Sequence, residues 1–202
     1  MVDTLQAHKG GRMNKDEERA LFKDAVFQQI IDIVSSTPCK WWLDAGTCLA
    51  VVRNGDFIAQ MDDVDIGFHI THTDPVPFFK EKFQDAGFIL SKVRAYGGKI
   101  MTVGFTGPEK VDLFFYHEKN GYLWHAIHGW EDETQKRKVF KPEKFREELF
   151  LTLKEVRFKD RTVFLPNPPE AYLVHRYGKD WMTPNPGYRF WRDSQAIDME
   201  FA

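Results

Sequence analysis

Acidic residues set into apolar, β-prone runs constrain this 202-residue chain most. The run Asp62-Asp63-Val64-Asp65-Ile66-Gly67-Phe68-His69-Ile70 opens on acids and then turns apolar. Read as a strand over 63–70, it projects Asp63 and Asp65 to one face and Val64 and Ile66 to the other, because side chains alternate. A second run, Lys110-Val111-Asp112-Leu113-Phe114-Phe115-Tyr116, is strongly β-prone and holds one acid, Asp112. A charge inside such a run is costly unless paired or ligated. If the two strands are neighbours, Asp112 completes a three-carboxylate cluster. Two carboxylates about 4 Å apart repel by roughly 4 kcal/mol at an effective dielectric near 20, so converging them requires a cation or a proton. Hard divalent cations such as Mg²⁺ are held by one or two carboxylates plus substrate phosphates. Taken alone, the Asp-x-Asp also fits a solvated acidic turn.

Upstream, Lys40 to Asp44 reads as a short strand, and Gly46-Thr47 as a tight turn into a two-turn helix over Cys48 to Arg53. Backbone N–H groups at such a start favour phosphate oxygens, and Thr47 adds a hydroxyl. An ordinary turn glycine gives the same pattern. Arg53 either forks onto a phosphate or caps the helix C-terminus. Asn54-Gly55 signals a turn.

The rest of the chain supplies scaffold. Residues 1–13 read as a flexible tail, with a second segment, 14–202, forming one domain. Asn14 with Glu17 fits a capping box, and Phe22, Val26, Ile30, Ile33 and Val34 recur at helical spacing as a core-facing stripe. Ser35-Ser36-Thr37-Pro38 ends that helix. Thr71 to Thr73 is a loop, and Asp74-Pro75 starts a helix whose Val76, Phe79, Phe83 and Ala86 face the core. Phe88–Val93 and Lys99–Phe105 form a hairpin around Gly97-Gly98, and Tyr122–Ile127 forms another with the Asp112 strand through Asn120-Gly121. Hairpin partners are antiparallel, so the expected fold is α+β, a mixed β-sheet with flanking helices. Lys141 to Phe150 is expected to hold a short helix, Leu151–Phe158 and Thr162–Leu165 a last hairpin, and Asn167 to Tyr177-Gly178 a last helix. Trp181 to Trp191 is irregular, and fits a lid over the site or a plain tail.

Composition narrows the function classes. A formal net charge of −2 advertises no nucleic-acid partner. Cys39 and Cys48 do not make a disulfide scaffold and read as reduced thiols. No apolar stretch reaches the ~20 residues of a membrane span, and the first fifteen residues lack the apolar core of a secretory signal. The expected location is therefore cytoplasmic. His125-x-x-His128 lacks further ligands at zinc spacing. His69, His72 and His117 read as surface or loop residues.

Taken together, these motifs resemble the LicD/fukutin family of phosphotransferases. Its Gly-Thr…Arg-x-Gly-x-Phe-Ile…Asp-Asp-x-Asp-Ile-Gly run is matched at Gly46, Thr47, Leu49, Arg53, Gly55, Phe57, Ile58, Asp62, Asp63, Asp65, Ile66 and Gly67. The chain departs from it at Cys48, Ala50 and Ala59-Gln60-Met61. Val111-Asp112-Leu113-Phe114-Phe115 is a second match, and Pro166 with Tyr172-Leu173 and Tyr177-Gly178-x-Asp180-Trp181 is similar to the family's closing element. The resemblance implies a nucleotidyltransferase-like fold. It implies that Asp63, Asp65 and Asp112 are catalytic and hold Mg²⁺ (or Mn²⁺), and that Gly46, Thr47, Arg53 and Tyr177 bind substrate. The implied reaction moves a phosphocholine or polyol-phosphate group from a CDP-activated donor, CDP-choline or CDP-polyol like, to a glycan or other hydroxyl acceptor. Two alternatives stay open. One is transfer of a nucleotide monophosphate from a triphosphate to a small molecule or protein. The other is a non-catalytic nucleotide-binding protein.

Overall fold

The computed structural model describes residues 15–58, 61–70 and 74–201. The expected tail, the Asn14 cap, Ala59-Gln60 and the 71–73 loop with His72 lie outside the described residues. A sheet in the order β1-β2-β5-β4-β3 forms the centre. It is built from β1 (Trp41–Leu43), β2 (Asp63–His69), β3 (Ile89–Tyr96), β4 (Lys99–Thr106) and β5 (Lys110–Lys119). β6 (Tyr122–Trp130) pairs with the end of β5, and β7 (Lys138–Arg146) pairs with β6. The sheet is mixed: β2 and β5 run parallel, and the other strand pairs are antiparallel.

Alternation along β2 and β5 sorts their side chains. Val64, Ile66, Phe68, Val111, Leu113 and Phe115 are buried on the core side. There α3 (Val76–Asp85) brings Phe79 and Phe83 against Phe68, Phe115 and Phe105, with Phe83 stacked on Phe105 at 4.4 Å between ring centroids. Burying rings of this size contributes roughly 1.5–3 kcal/mol each, so the sheet is anchored from the face opposite the acids. α3 begins one residue later than expected, with Pro75 at its N-cap, and Asp74 accepts the Val76 N–H at 2.9 Å.

Three expectations need correcting. The first helix, α1 (Lys15–Ser35), does not bury Phe22, which is 57% exposed. Its inward face is Val26, Phe27, Ile30, Ile31 and Val34. Phe27 packs edge-on against both Phe57 and Phe158, at 5.3 and 5.4 Å, and those two rings also meet edge-on. The second correction is at Gly46-Thr47. No turn precedes the helix; α2 (Ala45–Leu49) already contains both residues and runs on as a π-helical segment, Ala50–Asn54. Asp44 caps it by accepting the Ala45 N–H at 2.8 Å. The third is one of extent: the short helix expected within 141–150 is α4 (Glu148–Leu151), and the residues before it belong to strand β7. Pro142 is tolerated there because β7 pairs with β6 alone among the strands.

The last hairpin, β8 (Lys154–Phe158) and β9 (Arg161–Leu165), forms a separate two-stranded sheet. Helix α5 (Pro169–Tyr177) follows, then an irregular stretch, then the short α6 (Phe190–Asp193). Cys39 and Cys48 are free thiols. No helix among the described residues is long and apolar enough to cross a membrane.

Candidate active site

The register of the parallel pair places Asp65 directly beside Asp112, with Asp63 two residues up the same face. One carboxylate oxygen from each of Asp63, Asp65 and Asp112 lies within 4.8 Å of the others. They open onto a cleft of about 690 Å³ that Gly46, Lys92, Arg94, Tyr177 and Phe190 also line.

Asp65 is the most constrained of the three. Its side chain is buried, and its Oδ2 accepts the Gly46 N–H at 2.9 Å. Its backbone N–H donates to Thr47 Oγ1 at 2.8 Å, and its carbonyl accepts the Asp44 N–H at 2.9 Å. A Cβ on residue 46 would stand 3.1 Å from that carboxylate, so glycine is what lets α2 approach so closely. The expected phosphate-cradling groups are thus engaged with the protein: Gly46 N–H holds Asp65, and the fully buried Thr47 hydroxyl accepts from the Asp65 backbone.

Electrostatics follow from this crowding. Burial, then the charges of Asp112 and Asp62, push Asp63 up to about 6. Burial and the charges of Asp63, Asp112 and Asp44 push Asp65 well above the carboxylate range. Asp112 is paired with Lys92, Nζ to Oδ2 at 2.7 Å. Asp62 turns away, exposed and bound to Lys110 at 2.6 Å. Asp63 has no ion pair among the described residues. Three converging carboxylates, one of them paired with an ammonium, are an all-oxygen, hard donor set, and that set fits a hard divalent cation rather than a softer metal.

Arg53 and Tyr177 are placed differently from the acids. Arg53 donates to Asn54 Oδ1 at 2.9 Å and to the Trp181 carbonyl at 3.4 Å. It lines a second cleft, of about 1010 Å³, with Asp180, Trp181 and Tyr188. Tyr177 lines both clefts and forms the wall between them.

The sequence reading missed a buried polar network behind the triad. Asp44, fully buried, accepts from Ala45 N–H, from Tyr116 OH at 2.8 Å and from Tyr172 OH. The Arg176 guanidinium donates to Tyr172 OH at 2.9 Å and to Glu143 Oε2 at 2.8 Å. His125 Nε2 lies 3.0 Å from Glu143 Oε2, and Ser194 donates to Glu143 Oε1. Burial pushes Glu143 upward, but the Arg176 charge and the His125 and Ser194 bonds outweigh it and hold Glu143 at about 2. Asp44 could have been found, since Asp before Ala-Gly-Thr is an N-cap signal. Glu143, in the charged Lys-Pro-Glu-Lys run, gives no sign of being buried.

The fold is nucleotidyltransferase-like: a mixed sheet with flanking helices, which presents three carboxylates from two adjoining parallel strands and bonds a Gly-Thr helix start to one of them. The family described as "LicD/FKTN/FKRP, nucleotidyltransferase domain" matches residues 39–168, and the chain belongs to that family. Two relatives are similar over most of this chain. An uncharacterized protein of Rickettsia typhi, RT0683, is 25% identical over 86% of this chain and 51% of its own length. RP689 of Rickettsia prowazekii is 26% identical over 79% and 55%. The chain thus spans about half the length of these relatives. Among solved structures, a solution structure of the antibiotic-resistance factor ANT(2'')-Ia aligns over 84% of this chain and 78% of that one, at 14% identity and a TM-score of 0.49. A crystal structure of ANT(2'')-Ia in complex with adenylyl-2''-tobramycin aligns over 50% and 53%, at 15% identity and a TM-score of 0.37.

The raised carboxyls give a pH prediction. A raised Asp keeps its proton in the native chain at a pH where the unfolded chain has lost it. The metal-free contribution of Asp63 to stability therefore falls as pH rises from 3.8 to about 6. Divalent cations must displace those protons. The rise in melting temperature caused by saturating Mg²⁺ is expected to be large at pH 8 and to shrink below about pH 6. Calorimetry over that range checks it, and a rise independent of pH counts against a carboxylate site.

Proposed function

We propose that this protein is a metal-dependent phosphotransferase that moves a phosphocholine or polyol-phosphate group from a CDP-activated donor to a hydroxyl of a glycan or similar acceptor. The observation that carries this is the convergence of Asp63, Asp65 and Asp112 within 4.8 Å in a cleft large enough for a nucleotide-activated substrate. Asp63, Asp65 and Asp112 would hold Mg²⁺ or Mn²⁺, which would supply charge neutralisation to the donor's diphosphate. Gly46 and Thr47 act through Asp65, fixing its carboxylate and its backbone. Asp112 would either help hold that metal or accept the proton of the acceptor hydroxyl as its oxygen bonds to phosphorus and cytidine monophosphate leaves. Tyr177 contributes a substrate-facing wall. Arg53, in the adjoining cleft, contacts a more distant part of a substrate that passes Tyr177.

A second reading is transfer of a nucleotide monophosphate, favoured by the family's description as a nucleotidyltransferase domain. Product analysis separates the two. With CDP-choline or CDP-ribitol, Mg²⁺ and a panel of sugar acceptors, phosphorus NMR is expected to show the head-group phosphate on the acceptor and free CMP. A nucleotidyl-acceptor product, formed from a nucleoside triphosphate, establishes the second reading instead.

A further inference from the structure

Lys92 is the cation that the acidic cluster keeps for itself. Its Nζ bonds Asp112 Oδ2 at 2.7 Å, across an intervening strand. The register puts Lys92 of β3 beside Gly104 of β4, and Gly104 beside Asp112 of β5. A Cβ on residue 104 would come within 2.4 Å of Lys92 Cε and 2.9 Å of Asp112 Oδ1. Glycine therefore opens the path along which the ammonium reaches the acid.

β3 ends the sheet order and carries Arg94 two residues further on, lining the same cleft. The Arg94 guanidinium has no ion pair or hydrogen bond among the described residues. His128, which lines the cleft with it, has a buried Nδ1 without a hydrogen-bond partner among the described residues. Burial, followed by the Arg94 charge, disfavours protonation of that imidazole. The β3 wall thus offers one tethered cation and one free cation in a cleft whose floor is acidic. Such a wall has no use for a neutral ligand, and it complements an anion that the floor alone would repel.

The Lys92–Asp112 bond also competes with ligation at Asp112, because the ammonium occupies Oδ2. Once Asp112 is ligated, the ammonium loses its partner and is repelled by the new charge. Resting on the transferase reading above, we propose that Lys92 and Arg94 form a phosphoryl-anion subsite on the β3 wall. Lys92 leaves Asp112 for a phosphoryl oxygen when Asp112 is ligated. Metal and phosphoryl anion then bind with positive coupling, and Lys92 is the link.

Calorimetric titration tests this without turnover, using Mn²⁺ alone and then inorganic pyrophosphate on Mn²⁺-loaded protein, both at pH 8. Lys92→Met keeps the stem over Gly104 and removes the charge. It is expected to bind Mn²⁺ about tenfold more tightly, since a competing cation is gone. It is expected to bind pyrophosphate about 10- to 100-fold more weakly, the loss of a charge-assisted bond. Arg94→Met should weaken pyrophosphate binding and leave Mn²⁺ affinity unchanged. Asp112→Asn provides an independent check. By freeing Lys92 it should strengthen metal-free pyrophosphate binding over the parent. Parental affinities for both probes in Lys92→Met would overturn the subsite while leaving the triad's role intact. A parent protein that binds no Mn²⁺ at all would overturn the triad reading, and the subsite with it.

Discussion

Asp65→Asn is expected to lower turnover by about a thousandfold and to leave the melting temperature at or above that of the parent. The substitution keeps the side-chain shape and an oxygen to accept the Gly46 N–H, which is bonded at 2.9 Å. It removes one negative charge from a trio whose mutual repulsion and burial push Asp65 and Asp63 upward. On the proposed mechanism what disappears is a ligand, and a divalent ion supplies several kcal/mol of transition-state charge stabilisation, at tenfold in rate per ~1.4 kcal/mol. Loss of rate with a retained or raised melting temperature distinguishes a functional carboxylate from a structural one. Parental turnover in Asp65→Asn, measured by CMP release with either CDP donor, would remove Asp65 from the chemistry.

Arg176→Met is expected to have the largest effect on stability. The guanidinium is 3% exposed and stands between two fully buried carboxylates, 3.5 Å from Asp44 and 2.8 Å from Glu143. Deleting one partner of a buried ion pair typically costs about 3–5 kcal/mol, because the remaining charge is stranded. At ~2–4 °C per kcal/mol for a chain of this size, the melting temperature should fall by about 10 °C. Adding Glu143→Gln should recover part of the loss by removing one of the stranded charges. A shift of about 1 kcal/mol or less in urea unfolding would mean that this network does not stabilise the fold. The network matters to the site because Asp44 caps α2, and α2 positions the Gly46 N–H on Asp65.

The acids were legible in the sequence because strand alternation is a local rule. Asp63 and Asp65 had to share a face, and a lone Asp in an apolar run had to find a partner. The sheet order and the parallel β2–β5 pairing make Asp112 that neighbour. Gly46 and Thr47 were found as residues, but a helix start does not announce what its donors will bond. Here a carboxylate from a strand nineteen positions on takes the Gly46 N–H. Arg53 was legible only as a cation near the motif, since the direction of its guanidinium depends on the Trp181 carbonyl, 128 residues away. Glu143, His125 and Arg176 were illegible for the same reason: a buried ionic network is a property of convergence, and each member looks like a surface residue until its partners are known. Phe22 shows the limit of periodicity. A stripe drawn at helical spacing fixes a face only to within one residue's rotation, and the buried face here takes in Phe27, which packs edge-on against Phe57 and Phe158.

The most direct measurement is anomalous diffraction from crystals grown at pH 8 with Mn²⁺ and a non-hydrolysable CDP-donor analogue. The expected result is Mn²⁺ density bonded to carboxylate oxygens of Asp63, Asp65 and Asp112, with the analogue's diphosphate on the same ion. Crystals in which the analogue is bound, Asp112 remains paired with Lys92, and no Mn²⁺ density lies among the three carboxylates would contradict the metal-dependent reading.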